Sequence, residues 1–140
     1  METRGGGIFF AGLLAGFLAG IWASSLAPSL GLWRAQYEWF AHVPQAERAG
    51  VKTETIRDLH KGRVPKSAPK DERAIYDFVQ ELYKTRRVSD KTYARVRDLL
   101  GEPATVEFVG ILGYYVLISM ILNVFRMSPP EGEPLPFVET

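Results

Sequence analysis

Cysteine is absent from the 140 residues, which rules out disulfides, a thiolate metal site, a cysteine nucleophile and dithiol redox chemistry. Only 2 histidines occur, so imidazole chemistry rests on His42 or His60. A zinc site needs three or four converging ligands, and two isolated histidines without cysteine argue against one, so no metal or organic cofactor is implied. There is no glycine-rich phosphate loop, because Gly5 to Gly7 lead into an apolar run, and no nucleophile elbow marks a serine hydrolase. Strand-type alternation is missing throughout. The formal charge of +1 is too balanced for a nucleic-acid partner, and the basic residues lack the aromatic interleaving of a single-strand binding face.

What is present is segregated. The mean hydropathy of −0.05 averages three unlike regions. Gly5 to Trp33 carries no charged side chain, Arg34 to Glu102 holds 15 basic and 11 acidic residues, and Pro103 to Phe125 has only Glu107. The organisation expected is an apolar Gly/Ala-rich helix over residues 1–31, a helical domain over 32–128, and an acidic, proline-rich tail over 129–140. The tail reads as extended and able to lie over a neighbouring subunit.

Ile8 to Ala27 is twenty uncharged residues, long enough to span a hydrocarbon core. Gly12, Gly16 and Gly20, with Ala11, Ala15, Ala19 and Ala23 alongside, form the small-residue stripe that lets helices approach closely. A membrane helix, a cleaved signal peptide, a buried first helix and a displaced translation start all remain open for this block. The signal peptide fits less well, since Arg4 is the only preceding basic side chain and Ser25-Leu26-Ala27 runs into Pro28. The location expected is cytoplasmic, with membrane anchoring through residues 8–27 where that block is a span.

Further helices are read over Leu32–Arg48, interrupted or kinked at Pro44, and over Thr53–His60, with Thr53 as N-cap and Gly62 as C-cap. Residues 63–70 form a loop. In Asp71–Arg87 the side chains Ala74, Ile75, Phe78, Val79, Leu82 and Tyr83 recur at helical spacing. Ser89 caps Asp90–Leu100. The last helix, Ala104–Met127, opens on Glu102-Pro103. It has two readings, a membrane span or the central helix of an all-α domain, apolar all round because other helices surround it. The second is favoured, because the two amphipathic helices before it need a surface to bury.

His60 lies among Arg57, Asp58, Lys61 and Arg63 and reads as a structural or inert residue at a solvated helix end. His42 has Glu38 four residues earlier, on the same helical face. A carboxylate beside an imidazole raises its pKa and fixes its tautomer, which builds a proton-transfer group near neutral pH. Tyr37, Trp39 and Phe40 would wall such a site. The plainer reading is a surface helix pair, with Arg34 competing for Glu38.

YEWFAHVPQAERAGV, Tyr37 to Val51, resembles the helix-turn signature of the carboxymuconolactone decarboxylase family. The run from Asp71 to Met127, with its tyrosine- and asparagine-bearing last helix, is similar to the rest of that domain, so the resemblance covers roughly residues 33–130. It implies an all-α fold of the alkyl hydroperoxidase D type, with about five to six helices assembling as a homo-oligomer. The peroxidase branch carries Cys-x-x-Cys-x-x-x-His. Here Ala35 and Glu38 hold the cysteine positions and His42 matches the histidine, so disulfide peroxidase chemistry is excluded. The decarboxylase branch needs no thiol. What the resemblance implies is lyase-type proton transfer on a small organic acid or lactone. His42 would be the acid, Glu38 its orienting partner, and Tyr37 or Tyr115 a hydroxyl donor. Family members also carry an earlier helix with an Arg-Glu pair, where this chain has its Gly-Ala block.

Overall fold

The computed structural model describes residues 31–138. They are helical, with no strand among them. The elements are α1 (Gln36–Arg48), α2 (Thr53–His60), α3 (Lys70–Thr85), α4 (Asp90–Leu100) and α5 (Glu102–Val124). Residues 31–33 are helical, and Arg34, with φ 50, breaks the chain between them and α1. The single helix expected over Leu32–Arg48 is therefore two pieces, and the break falls at Arg34 rather than at Pro44. Pro44 lacks only one amide donor, and the helix continues through it to Arg48.

α3 and α4 follow their apolar spacing closely. Ala74, Ile75, Tyr76, Phe78 and Val79 of α3 are buried, and so is Val96 of α4. Ser89 caps α4 by accepting from the Thr92 amide at 3.4 Å, and its own amide donates to Glu81 Oε1 at 2.7 Å. Arg86, in the left-handed region at φ 65, ends α3. Outside the packing, Asp77 takes hydrogen bonds from Arg73 Nε at 2.8 Å and Arg95 Nη1 at 2.9 Å, tying α3 to α4. Burial alone would raise the Asp77 pKa, but the two arginines outweigh it and hold the carboxyl below its usual value.

The amphipathic pair covers α5, as expected. Ile75, Phe78, Val79 and Val96 close around Phe108 and Leu112 in one core cluster. A second cluster joins Trp39, Ile56, Leu59, Tyr76 and Tyr115. Yet α5 is not surrounded. Its buried residues, Thr105, Phe108, Leu112, Tyr115 and Ser119, recur at three- and four-residue steps on one face. The opposite face is apolar and exposed, with Val106 at 69% and Val124 at 73%. The expectation of a helix apolar all round because neighbours enclose it is corrected on that face.

Location needs correction as well. Among the described residues one helix is long and apolar enough to cross a membrane, and it is Glu102–Val124. The expected anchor, residues 8–27, lies outside the described residues, so the location drawn from it is withdrawn. Length and hydropathy alone do not separate a span from a helix that buries one face on protein.

The tail also departs from expectation. It holds no helix or strand, but it turns at Pro130–Glu133 and folds onto its own chain, and Phe137 is buried in the cluster with Trp39. Gln36 grips the Phe137 backbone twice, Nε2 donating to its carbonyl at 2.7 Å and Oε1 accepting from its amide at 2.9 Å. His60 is therefore structural. Its ring stacks on Phe137 at 4.8 Å and its Nε2 lies 2.6 Å from the Pro136 carbonyl oxygen.

Candidate functional site

α1 and α5 run antiparallel, and each brings an i,i+4 pair to their seam. Glu38 of α1 faces Ser119 of α5, whose hydroxyl donates to Glu38 Oε2. One turn along, His42 faces Tyr115, the rings meeting edge to face at 5.5 Å. Glu38 is only 3% exposed and Ser119 fully buried. This is an uncommon place for a carboxyl group, because its charged form loses most of its hydration there.

Two atoms at this seam are buried with no hydrogen-bond partner among the described residues, Glu38 Oε1 and His42 Nδ1. A buried polar atom left unpaired costs roughly 1–3 kcal/mol, so such atoms are uncommon and often mark a working site. Burial pushes the Glu38 pKa up, against the opposing effect of the Ser119 hydrogen bond. Burial pushes the His42 pKa down. The Tyr115 phenol is pushed up to about 12, first by burial, then by the Glu38 and Tyr114 charges.

The electrostatics thus reverse one expectation. The spacing predicts a Glu38–His42 pair that raises the imidazole pKa. Instead the carboxyl reaches across to Ser119, the ring turns to Tyr115, and desolvation governs both titrations. Burial thus favours the neutral imidazole and shifts the carboxyl toward its protonated form relative to an exposed glutamate. The surface-pair reading fails for the same reason, since Glu38 is buried.

Of the residues singled out from sequence, the fold brings Glu38, His42 and Tyr115 together. It does not bring Tyr37 to them. Tyr37 is 42% exposed and tilts against Phe40 at 6.5 Å, on a different side of α1. Trp39 belongs to the core beneath the tail, against Phe137 and His60, rather than to a site wall. Ser119 was not singled out. Its signal was a lone hydroxyl four residues after Tyr115 in an apolar helix, where a buried polar group needs a partner.

A cleft of about 690 Å³ lies between residues 32–33, the C-terminal part of α3 and α5, lined in part by Leu32, Trp33, Tyr83 and Val116. Glu38, His42 and Tyr115 do not line it, but Val116 follows Tyr115 in the chain. No group of three or more candidate metal ligands occurs among the described residues. Comparison with protein-family models, with curated proteins and with solved structures found no match to this chain.

Proposed function

We propose that this chain catalyses proton transfer of the decarboxylase or lyase type on a small organic acid or lactone, without a cofactor. The resemblance to the carboxymuconolactone decarboxylase family suggests the reaction. The observation that supports it is the α1–α5 seam, where a buried carboxyl and a half-buried imidazole lie one turn apart, each with an orphaned, buried polar atom. Their surroundings push the two pKa values toward each other, from below for Glu38 and from above for His42, a pattern that acid–base sites share.

The roles follow from those directions. When a carboxylated lactone loses carbon dioxide, the carbon–carboxylate bond breaks and its electron pair stays on the ring carbon as an enolate. That carbon must then gain a proton. Glu38, which burial shifts toward its protonated form, is the donor. Neutral His42 accepts a proton from water, whose hydroxide combines with the released carbon dioxide as bicarbonate, and passes that proton on to restore the Glu38 carboxyl. The Tyr115 hydroxyl, protonated up to about pH 12, donates a hydrogen bond to the enolate oxygen. This exchanges the parts that the family resemblance suggests for His42 and Glu38.

The test is turnover of a panel of carboxylated lactones and β-keto acids in deuterated water, reading carbon dioxide release and deuterium at the product carbon. Glu38→Gln and His42→Ala should each lower kcat by about 10²–10⁴-fold. Full turnover by either variant on an accepted substrate, or no turnover of the panel by the unaltered chain, would overturn the reading.

A further inference from the structure

The cleft between residues 32–33, α3 and α5 is separate from the polar seam, since neither Glu38 nor His42 lines it. Its volume of about 690 Å³ is that of a pocket for one small organic molecule. Its walls are pinned from two sides. Asn123 Nδ2 donates to the Trp33 carbonyl at 2.8 Å, holding residues 32–33 to α5. Tyr83 Oη donates to the Leu112 carbonyl at 3.2 Å, holding the end of α3 to the same helix. The body of the cleft is apolar, with Leu32, Trp33, Leu82, Tyr83 and Val116 around it.

The charge on its lining comes from the end of α3 and has one sign. Lys84 and Arg86, both exposed, line the cleft, and no acidic side chain among the described residues does. Glu81 is the carboxylate closest in sequence, and it is turned to the α3–α4 junction, where the Ser89 amide donates to its Oε1 at 2.7 Å. Neither cation has a carboxylate partner among the described residues. Arg86 Nη1 donates to the Tyr83 carbonyl instead, which fixes the guanidinium beside the cleft and leaves other N–H groups of its fork for a ligand. A helix C-terminus opposes an anion, but its partial charge of about −0.5 is smaller than two full positive charges. The last carbonyls of α3 are also answered already. Thr85 Oγ1 donates to that of Glu81 at 2.9 Å, and the Arg86 amide to that of Leu82 at 2.8 Å.

We propose that this cleft binds a small amphiphilic carboxylate, its apolar body against Trp33, Leu82 and Val116 and its head group at Lys84 and Arg86. A neutral apolar molecule would leave both cations unused, and a cationic one would be repelled by them. Because the two cations are exposed, charge sets a modest preference, and burial of the apolar body supplies most of the affinity. The occupant is a free molecule rather than a bilayer surface, since a recess of this volume holds a single ligand. The proposal does not rest on the acid–base reading, because no residue of that seam takes part.

The test is calorimetric titration of the full chain with decanoate, decan-1-ol and decyltrimethylammonium, each below its aggregation threshold. Decanoate should bind roughly 3–10-fold more tightly than the alcohol, and the ammonium more weakly than either. Lys84→Gln combined with Arg86→Gly should bring decanoate to the affinity of the alcohol. Both side chains are exposed and glycine suits the φ of 65 at residue 86, so this variant keeps the fold. Contact with the cleft is read separately. Decanoate brominated at its far end should quench tryptophan emission, and Trp33→Phe should remove most of that quenching. The proposal is overturned by no binding of decanoate, by equal affinities for the three probes, or by a preference that survives the double variant. Quenching unchanged in Trp33→Phe would sink it as well. Binding to phosphatidylglycerol vesicles without binding of free decanoate would replace it with a membrane surface.

Discussion

α5 is gripped along two seams that solve the same packing problem in opposite ways. Toward its N-terminal half, α3 and α4 close on Phe108 and Leu112 with apolar side chains, and Phe78 meets Phe108 at 5.4 Å. Toward its C-terminal half, α1 presents Glu38 and His42 to Ser119 and Tyr115, and two buried polar atoms remain unpaired. The first seam gains stability with every contact. The second gives stability up, and that difference is why it, rather than the larger apolar cluster, is the place to look for chemistry.

The strongest test of the contrast is to damage the dry seam. Phe78 is 2% exposed, and Phe78→Ala should cost about 3–5 kcal/mol in chemical denaturation, with Ser119 and Tyr115 still in register if any folded state survives. Next comes the tail. Phe137→Ala should cost about 3 kcal/mol, at the low end for a buried phenylalanine because an extended segment can settle into part of the gap. It should also expose Trp39. A smaller effect, with the opposite sign, is expected at the polar seam. The Glu38 pKa is raised on folding, so the stability associated with this group is complete below the ordinary carboxyl value and falls as pH rises through the folded value. Glu38→Gln removes that loss. The Glu38→Gln advantage in urea midpoint should be smallest near pH 4, grow as pH rises above the ordinary carboxyl value and level off beyond the folded one; a constant difference from pH 4 to pH 8 would break the assignment. Tyr37→Phe should change stability by less than about 0.5 kcal/mol and leave turnover intact, marking the edge of the site.

The parts of this molecule that were legible in the sequence are those settled by neighbours three or four residues away. Ser89 and the stripe from Ala74 to Tyr83 specified α3 and α4, because capping and amphipathic spacing are local. Glu38 and His42 were visible for the same reason. Ser119 was not, because its partner is 81 residues away, and local spacing says nothing about which helices will cross. The docking of Phe137 was hidden as well, since a proline-rich run reads as extended wherever it goes. α5 misled in a subtler way. Apolar residues all around a helix declare that every face will be covered, but not by what.

The docked tail gives this protein an optical reporter that needs no label. Trp39 lies 5.3 Å from the Phe137 ring and 5.3 Å from the His60 ring, inside a pocket that the tail closes. Release of residues 136–138 admits water to the indole and shifts its emission to longer wavelength, so with Trp22 and Trp33 replaced by phenylalanine fluorescence follows tail docking separately from global unfolding. Trp39 comes directly after Glu38 on α1, and the same signal therefore senses movement of the helix that carries the acid–base pair.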